Sequence, residues 1–522
     1  MTMLDHGGLG LAFQRSLRLH EEKTAIEFGR SSISYGTLAA WSAAIGSSLR
    51  AQGVRPGDKV ALLIGNRPEF VACDIAVATI GAVKLPVNTL LPTHTISHII
   101  EDSGARALVV DPRLEEVAIE AVGDRRILLY GFGKGPGAGA DPFIRLVLPA
   151  DGGDSPVADV AKVEAGSPAA LFYTGGTTGR PKGVVHSQRS LLSFHTAQLL
   201  EAEIRQHERL LLATPLAHAA GLFAQSAILR GATIVLHDGF DVERTAAALR
   251  DNGITWTFLV PTMIYRLLDA VGSDGAKGGF PALDTIVYGA APIAQSRLQR
   301  ALEVFGPVFI QLYGQTECPN WGTRLAKTDH DPARPERLTS CGQASFMVDV
   351  KIVYENGETL PPGEVGEVCL KGPYTLTEYH RNPEATAEKF LGDWIRTGDV
   401  GLLDAAGYLY LKDRRADMII SGGMNVYSSE VEDVLNAHPQ VRSAAVIGIP
   451  HDDWGEAVHA IVVGDGRLTA HELMEWSRNR LAGYARPKSV EFVDALPETP
   501  FGKIDKKRLR EKYWKGSDRG IN

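Results

Sequence analysis

Short apolar runs rich in β-branched residues recur along this chain, and stretches of helical character separate them. These runs lie at 59–65, 82–88, 107–111, 233–237 and 255–261. Parallel strands form nearly continuous apolar runs because helices cover both faces of their sheet. Residues 68–79 carry the helical pattern that such a connection requires. We therefore predict an α/β fold built on parallel sheets.

The length of the chain requires more than one core. It has 522 residues, whereas single hydrophobic cores stop growing at roughly 250–300 residues. After Arg414 the pattern changes to strand-like runs at 443–449, 457–464 and 489–494 with short helices. Thr469 and Glu472 form the spacing of a capping box that opens one of these helices. We predict a large N-terminal multi-subdomain α/β domain at 1–413 and a small mobile α+β domain at 414–522.

One unit in the middle of the chain predicts a ligand-binding edge. Residues 284–317 have the pattern of a strand, a GAAP loop, a helix at about 294–305 and a second strand that ends in YGQTE. Ligands of open α/β sheets bind at the carboxyl ends of the strands. The glycine-rich loop after 169–173 follows a strand pattern as well. We expect these three loops on one sheet edge, where they would form a nucleotide-sized cleft.

A further segment, Gly131–Asp154, is rich in glycine, proline and aspartate and predicts a surface loop.

Charge and cysteine usage exclude several classes of function. Lysine and arginine number 54 against 62 acidic residues, a net charge of −8, and nucleic-acid binding requires a basic footprint. The four cysteines form no C-x-x-C pair, which predicts free thiols in a reducing compartment. No apolar run reaches the roughly 18 residues of a membrane span. We predict a cytoplasmic protein without nucleic-acid partner or membrane span; a homodimer stays open.

The loop YTGGTTGRPKGVVHS at 173–187 is the strongest candidate for a phosphate site. Backbone N–H groups of a glycine-rich loop and one lysine can hold phosphate oxygens. The loop is not a Walker A motif, because Pro181 precedes Lys182 and Gly183 follows it. A mobile surface loop is the alternative interpretation on composition alone.

Seven segments in order resemble the motifs of the adenylate-forming superfamily of acyl-CoA synthetases, adenylation domains and luciferases. They are TGGTTGRPKG (174–183), PLAHAAG (215–221), GAAP (289–292), YGQTE (313–317), WIRTGD (394–399), DRRADMIISGGMNVYSSEVE (413–432) and PETPFGKIDK (497–506). The resemblance spans nearly the whole chain. Gly175 stands where serine is usual in the family, which removes one hydroxyl from the loop.

The resemblance implies an ATP-dependent carboxylate–CoA ligase that works through an acyl-adenylate, with Mg²⁺, ATP and coenzyme A. It assigns Glu317 to Mg²⁺, Thr316 to the α-phosphate and Lys503 to the substrate carboxylate and α-phosphate as catalytic residues. The ATP and AMP site would comprise Thr174, Gly176, Thr177, Thr178, Gly179, Lys182, Gly289, Ala290, Ala291, Pro292, Tyr313, Gly314, Asp399 and Arg414.

The same resemblance assigns the acid and the thiol. His218, Ala219 and Gly221 would bind the acyl group, and Gly422, Gly423 and Met424 would bind coenzyme A. Ala217, Ala219 and Ala220 are small, and no acidic residue occurs between Pro215 and Gln225. Since adenylation domains for amino acids carry an aspartate in this region, we expect a bulky apolar carboxylic acid rather than an amino acid.

Two positions depart from the family pattern near the predicted hinge. Ala416 stands where aspartate or lysine is usual, and Tyr427–Ser428 replaces Tyr-Pro. Thioester formation is therefore the less secure half of the reaction. The alternatives are transfer to a carrier protein or a separate enzyme, and a nucleotide-binding homologue without catalysis. Lys182, Glu317, Asp399 and Lys503 argue against the last alternative.

Overall fold

The computed structural model describes residues 8–133, 141–150, 159–174, 180–271, 279–451, 453–498 and 504–514. The described helices are α1 (Gly8–Leu19), α2 (Tyr35–Ala51), α3 (Pro68–Thr79), α4 (Thr93–Ser103), α5 (Glu115–Val122), α6 (Gln188–Glu201), α7 (Ala219–Arg230), α8 (Val242–Asp251), α9 (Pro261–Val271), α10 (Gln295–Phe305), α11 (Pro383–Lys389), α12 (Ser428–Asn436), α13 (Ala470–Arg478) and α14 (Lys506–Trp514). In this part of the chain none of them is long and apolar enough to cross a bilayer.

The described strands belong to four sheets. In chain order they are β1 (Thr24–Phe28), β2 (Ser31–Ser34), β3 (Lys59–Leu63), β4 (Val83–Pro86), β5 (Ala107–Val110), β6 (Leu128–Phe132), β7 (Ile144–Leu146), β8 (Pro168–Tyr173), β9 (Gly183–Ser187), β10 (Arg209–Leu212), β11 (Thr233–Leu236), β12 (Trp256–Leu259), β13 (Thr285–Gly289), β14 (Phe309–Gln315), β15 (Cys318–Leu325), β16 (Gln343–Ala344), β17 (Asp349–Val353), β18 (Gly366–Lys371), β19 (Glu378–Tyr379), β20 (Phe390–Leu391), β21 (Trp394–Leu403), β22 (Leu409–Arg414), β23 (Ile419–Ser421), β24 (Met424–Val426), β25 (Val441–His451), β26 (Gly455–Gly464) and β27 (Ser489–Phe492).

The first large sheet has eight strands in the order β19-β9-β8-β4-β3-β5-β6-β7. Its strands from β8 to β7 pair in parallel, and β9 returns antiparallel to β8. Helix α3 occupies the predicted residues 68–79, because Pro68 stands in its first turn, where the ring's fixed φ suits the helix and the missing N–H costs nothing. The predicted α/β character is confirmed.

The second large sheet has nine strands in the order β16-β15-β14-β13-β12-β10-β11-β1-β2. Its six inner strands are parallel, and β2, β15 and β16 are antiparallel additions at the edges. The predicted unit at 284–317 is confirmed as β13, α10 and β14. Gly306 ends α10 with a φ of +82°.

Two sequence-based expectations about the fold are wrong. The three ligand loops do not share one sheet edge, because β8 belongs to the eight-stranded sheet, whereas β13 and β14 belong to the nine-stranded sheet. The segment 131–154 is not only a loop, since β7 lies within it and pairs in parallel with β6. Strand β7 has three residues, too few for a periodic pattern to stand out among glycines and prolines.

The end of the chain forms a smaller sheet with its own core. Strands β24, β23, β26 and β25 pair in that order, and β27 pairs with β26. Buried apolar side chains of α12, α13 and this sheet form one cluster. The capping box of Thr469 and Glu472 is confirmed at the start of α13. A large N-terminal domain and a smaller C-terminal domain are therefore present, as predicted.

Candidate active site

A cleft of about 1540 Å³ runs between the two large sheets and the C-terminal sheet. Glu498 and Ile504, the residues on either side of 499–503, also line the cleft. The predicted site residues that line it are Thr174, Lys182, His218, Ala219, Ala290, Gly314, Thr316, Glu317, Asp399, Arg414 and Ala416. With Glu498 and Ile504 from the last motif, the tertiary structure thus brings together residues from all seven motifs.

Other predicted residues do not line the cleft or lie outside the described residues. Those that do not line the cleft are Gly221, Gly289, Ala291, Pro292, Tyr313, Gly422, Gly423 and Met424. The predictions for Gly176, Thr177, Thr178, Gly179 and Lys503 fall outside the described residues.

The phosphate-loop candidate joins two antiparallel strands rather than a strand and a helix. Tyr173 on β8 pairs with Gly183 on β9, and the Thr174 N–H donates to the Lys182 carbonyl over 3.0 Å. The Lys182 ammonium lies 5.4 Å from the centre of the Tyr379 ring. The ends of the loop are therefore held by a β-hairpin, and its lysine lies beside the tyrosine that contacts Glu317.

Glu317 is buried, with 8% of its surface exposed. Its Oε1 accepts from the Tyr379 hydroxyl at 2.5 Å, and the Lys389 ammonium lies 3.7 Å from the same atom. No described residue donates a hydrogen bond to Oε2, and the Glu317 side chain lines the cleft. Burial of the Tyr379 phenol, together with the neighbouring Glu317 carboxylate, raises the pKa of that phenol well above its ordinary value. One carboxylate oxygen is thus fixed and the other remains for a ligand.

His186 supports Thr316 from behind. Its Nε2 lies 2.8 Å from the Thr316 carbonyl oxygen, and since a carbonyl only accepts, Nε2 carries the proton. Burial lowers the pKa of His186 to about 4. A neutral imidazole therefore holds the backbone of the YGQTE loop near neutral pH.

Two neutral donors and one cation surround the Asp399 carboxylate. The Tyr313 hydroxyl donates to its Oδ2 at 2.6 Å, and the Gln315 amide approaches the same oxygen at 3.4 Å. The Arg414 guanidinium lies 3.8 Å from Oδ1. Gln315 in turn accepts from the Lys389 ammonium at 2.8 Å. Lys389 and Gln315 therefore connect the carboxylates of Glu317 and Asp399 across the floor of the cleft.

Backbone geometry is unusual at Ala290 and explains the glycine at position 221. Ala290 has a φ of +65°, a conformation that costs energy for a residue with a Cβ and that is concentrated at functional sites. A Cβ at Gly221 would lie 2.0 Å from the Leu216 carbonyl oxygen. Gly221 therefore allows α7 to begin against the preceding loop, which places Ala219 and His218 at the cleft.

The wall formed by the start of α7 is largely apolar. Ala217, Ala219, Ala220 and Leu222 line the cleft there together with Phe258 and Val260. The Asn88 amide Nδ2 donates to His218 Nε2 at 3.0 Å. Within this described wall, His218 and Asn88 form the polar part, and the alanines leave space beside them.

The hinge candidate lies between two acidic residues that bond to the C-terminal domain. Asp413 Oδ2 accepts from the Ser428 hydroxyl at 2.7 Å, and Arg510 on α14 forms an ion pair with Asp417. The Lys506 ammonium contacts Glu432 at 2.7 Å and the Ser428 hydroxyl at 2.7 Å. Ala416 itself adds no polar side chain, so its neighbours carry the contacts.

The two glycines assigned to coenzyme A form the turn between β23 and β24. Gly422 and Gly423 have φ values of +60° and +78°, and Ser421 pairs with Met424 across them. Two consecutive positive φ values are typical of a two-residue hairpin turn, for which glycine is favoured. Met424 is 47% exposed. The turn alone accounts for both glycines, whatever else they bind.

Sequence reasoning missed several polar residues of the site. Tyr379, Lys389 and Asn88 line the cleft, and His186 and Gln315 support it. His186 could have been found as the single histidine within the apolar strand pattern that follows the glycine-rich loop. Tyr379 and Lys389 carried no such signal, because they lie in an unremarkable polar segment more than sixty residues after Glu317.

The family model for AMP-binding enzymes matches residues 13–380, and the model for the AMP-binding enzyme C-terminal domain matches residues 430–503. The chain belongs to the AMP-binding enzyme family. The predicted resemblance to adenylate-forming acyl-CoA synthetases is thereby confirmed.

Relatives with assigned functions cover nearly the whole chain. A feruloyl-CoA synthase from Amycolatopsis sp is 38% identical over 97% of this chain and 99% of its own length. The fatty acid–[acyl-carrier-protein] ligase ScoC from Streptomyces coeruleorubidus is 35% identical, over 94% and 93%. The structure of the amide bond synthetase McbA from Marinactinospora thermotolerans has a TM-score of 0.87 at 32% identity, over 97% and 99%.

These similarities confirm the predicted class of enzyme, an AMP-forming acid–thiol ligase. They do not identify the acid, and the names of the relatives include both coenzyme A and a carrier protein as acceptors.

Proposed function

We propose that this enzyme joins ATP and a bulky apolar carboxylic acid into an acyl-adenylate and transfers the acyl group to coenzyme A. In the first step a carboxylate oxygen attacks the α-phosphorus, and the bond to the pyrophosphate oxygen breaks. In the second step the thiolate attacks the acyl carbon, and AMP leaves with the carboxyl oxygen. The observation that carries the proposal is one cleft with Glu317 and Asp399 fixed at one wall and an alanine-rich wall at another.

At the nucleotide end we assign roles by the contacts of each side chain. Asp399 is oriented by Tyr313 and can accept both ribose hydroxyls, since a carboxylate offers several lone pairs. Lys182 and Thr174, with Thr177 and Thr178 of the loop, would donate to the β- and γ-phosphates. Arg414 would support the ribose, and Gly289, Ala290, Ala291 and Pro292 would border the adenine. Gly314 would lie beside the nucleotide.

The residues present fit a magnesium ion. Mg²⁺ keeps several waters and takes one or two carboxylates together with phosphate oxygens. Glu317 offers one oxygen to the cleft, and the described residues contain no cluster of three or more metal-ligating side chains that would suit another metal. When bound, Mg²⁺ would neutralise phosphate charge; Glu317 and Thr316 would orient the phosphates beside it.

The acid would occupy the wall formed by the start of α7. Ala217, Ala219 and Ala220 leave space, and Leu222, Phe258 and Val260 supply apolar surface. Each buried methylene contributes about 0.8 kcal/mol, so a large apolar acid gains far more here than acetate. The ferulate and fatty acid in the names of two relatives support the same class.

The predicted hinge divides the chain into two domains with different roles. We propose residues 1–413 as the adenylation domain and 414–522 as the mobile domain that carries Lys503. Rotation about Ala416 would bring Gly422, Gly423 and Met424 to the cleft for thioester formation. A carrier protein remains the second candidate acceptor, because the ScoC relative is named for one.

Pyrophosphate release with a panel of acids, with and without coenzyme A, tests the proposal. We expect release with medium or long acyl and aryl acids, a coenzyme A thioester detectable by mass spectrometry, and poor rates with acetate. Glu317→Gln should abolish most of the release, whereas the exposed Glu358→Gln should not. A preference for acetate or a free amino acid would contradict the acid class. If the adenylate forms but no coenzyme A thioester appears, and a carrier protein restores thioester formation, then the carrier protein is the acceptor.

A further inference from the structure

Asn320 lies three residues beyond Glu317 at the start of β15 and lines the cleft. Only 8% of its surface is exposed, and its φ is +52°. Nothing in the predicted motifs gives it a role. Its side chain nevertheless belongs to a group of buried polar contacts next to the acyl wall.

Gln198 on α6 fixes the orientation of the Asn320 amide. Gln198 Nε2 donates to the Leu222 carbonyl at 2.8 Å, and its Oε1 accepts from the Trp321 indole N–H at 3.2 Å. A carbonyl only accepts and an indole N–H only donates, so the amide of Gln198 has one allowed orientation. Asn320 must therefore present its Nδ2 to Gln198 Oε1, at 2.7 Å.

This arrangement leaves the Asn320 Oδ1 for the cleft. No described residue donates to Oδ1, and it is not among the unpaired atoms that are shielded from solvent. The Leu222 carbonyl that anchors Gln198 lies in the first turn of α7, where Ala219, Ala220 and Leu222 line the cleft. The free acceptor therefore lies beside the apolar wall where the acyl group would bind.

We propose that Asn320 selects acids that carry a hydrogen-bond donor, a hydroxyl or an N–H, on an otherwise apolar body. The inference rests on the proposed function. An acid without a donor would cover Oδ1 and leave it unpaired, and an unpaired buried polar group is costly. A site built to bond a substrate hydroxyl discriminates against the analogue that lacks it.

The positive φ of Asn320 offers a second explanation for an asparagine at this position, and the experiment has to distinguish it from substrate selection. Asparagine adopts positive φ more readily than other residues with a Cβ, so the residue type alone could serve the backbone. Asn320→Gly keeps that conformation accessible and removes only the amide. Gln198 Oε1 keeps its bond from Trp321 in this variant, so the support behind the wall survives.

The experiment compares 3-phenylpropanoic acid with its 2-, 3- and 4-hydroxyphenyl isomers. Adenylation kcat/KM and calorimetric binding of each acid are measured in the full-length enzyme and in Asn320→Gly. Asn479→Gly, at an exposed helix end in the C-terminal domain, is the matched control. We expect at least one isomer to exceed the parent acid by about tenfold or more in the wild type, the range of one hydrogen bond whose loss leaves its partner unpaired.

In Asn320→Gly that ratio should fall to within about twofold of unity, because the variant lacks both the acceptor that favours a donor-bearing acid and the unpaired oxygen that penalises the parent acid. A wild type that prefers no isomer, or a preference that survives in Asn320→Gly, overturns the inference. Binding ratios decide the same question if turnover is slow. Failure of every acid to release pyrophosphate would instead contradict the proposed function.

Discussion

The nucleotide end of the cleft and the hinge beside it hold their carboxylates at different distances from cations. Glu317 and Asp399 accept short bonds from the hydroxyls of Tyr379 and Tyr313, at 2.5 and 2.6 Å, and the cations of Lys389 and Arg414 lie 3.7 and 3.8 Å away. At the hinge, Asp417 pairs directly with the cation of Arg510, and Asp413 lies near Lys506 through Ser428. A carboxylate whose cation lies farther away keeps more of its charge for a ligand than one in a direct ion pair, because Coulomb attraction weakens with distance.

The two regions also differ in what must break before they rearrange. Tyr379 and Tyr313 are buried in the cleft, and a buried polar group that loses its partner is costly. The hinge pair of Asp417 and Arg510 is sheltered as well, with 15% and 12% of the side chains exposed, so a rotation there must replace a largely buried ion pair with other partners. Both regions meet at the cleft, where Arg414 and Ala416 lie.

The largest expected effect comes from the residue that would link the two regions. Lys503→Ala should lower acyl-adenylate formation by about 10²–10³, the range for one well-placed electrostatic stabiliser. Thioester formation from supplied acyl-adenylate should survive. Single-turnover assays of each half measure this, with Lys371→Met, a surface lysine paired with Asp393, as control. If both half-reactions lose rate equally, Lys503 has a structural role instead of a catalytic one.

The next effect tests whether neutral donors position the metal carboxylate. Tyr379→Phe removes one bond to Glu317, and bonds to charged groups contribute about 1.5–3 kcal/mol, so adenylation should fall roughly 10- to 100-fold. The Mg²⁺ concentration for half-maximal rate should rise.

Tyr354→Phe is the matched control, because the exposed Tyr354 hydroxyl bonds Glu364 at 3.0 Å and neither residue lines the cleft. If the two variants behave alike, the Tyr379 bond does not position Glu317.

A smaller effect should separate the hinge from the cleft. Ala416→Pro fixes φ near −65° and removes an N–H. Glu498 and Ile504, which flank residues 499–503, line the cleft, so we expect this pose to serve adenylation. We expect thioester formation to slow by about tenfold, equivalent to about 1.4 kcal/mol, with adenylation little changed. Ala416→Gly should spare both halves. If Ala416→Pro keeps wild-type rates in both half-reactions, the hinge lies at another residue.

The smallest effect concerns pH and the buried histidines around the cleft. Burial lowers the pKa of His186 and of His330 to about 4. Between pH 6.5 and 4 the unfolded chain binds these protons and the native protein does not, so stability falls as pH falls, by up to about 1.4 kcal/mol per pH unit for each group. Calorimetric unfolding temperatures should therefore drop over this range.

His207 provides the control for that titration, because its side chain is 72% exposed. His207→Gln should leave the pH dependence unchanged. An unfolding temperature that stays constant from pH 6.5 to 4.5 would show that the buried histidines exchange protons without cost.

Local patterns predicted much of the fold. The apolar run at 59–65 and the Pro68 that opens α3 specify a strand and a helix by themselves, and both are present. The short strand β7 was missed because three residues carry no period. The assignment of the three ligand loops to one sheet failed because a loop's sequence contains no information about which sheet its strand joins.

The sequence by itself determined the family and the order of the motifs, and it predicted the carboxylates and lysines of the site, because short motifs preserve residue type and spacing. Only the tertiary structure decided which groups support them. Tyr379 and Lys389 reach Glu317 from a segment over sixty residues away, and Gln198 orients Asn320 across 122 residues. Such contacts arise from the packing of whole sheets and helices, so no local pattern records them.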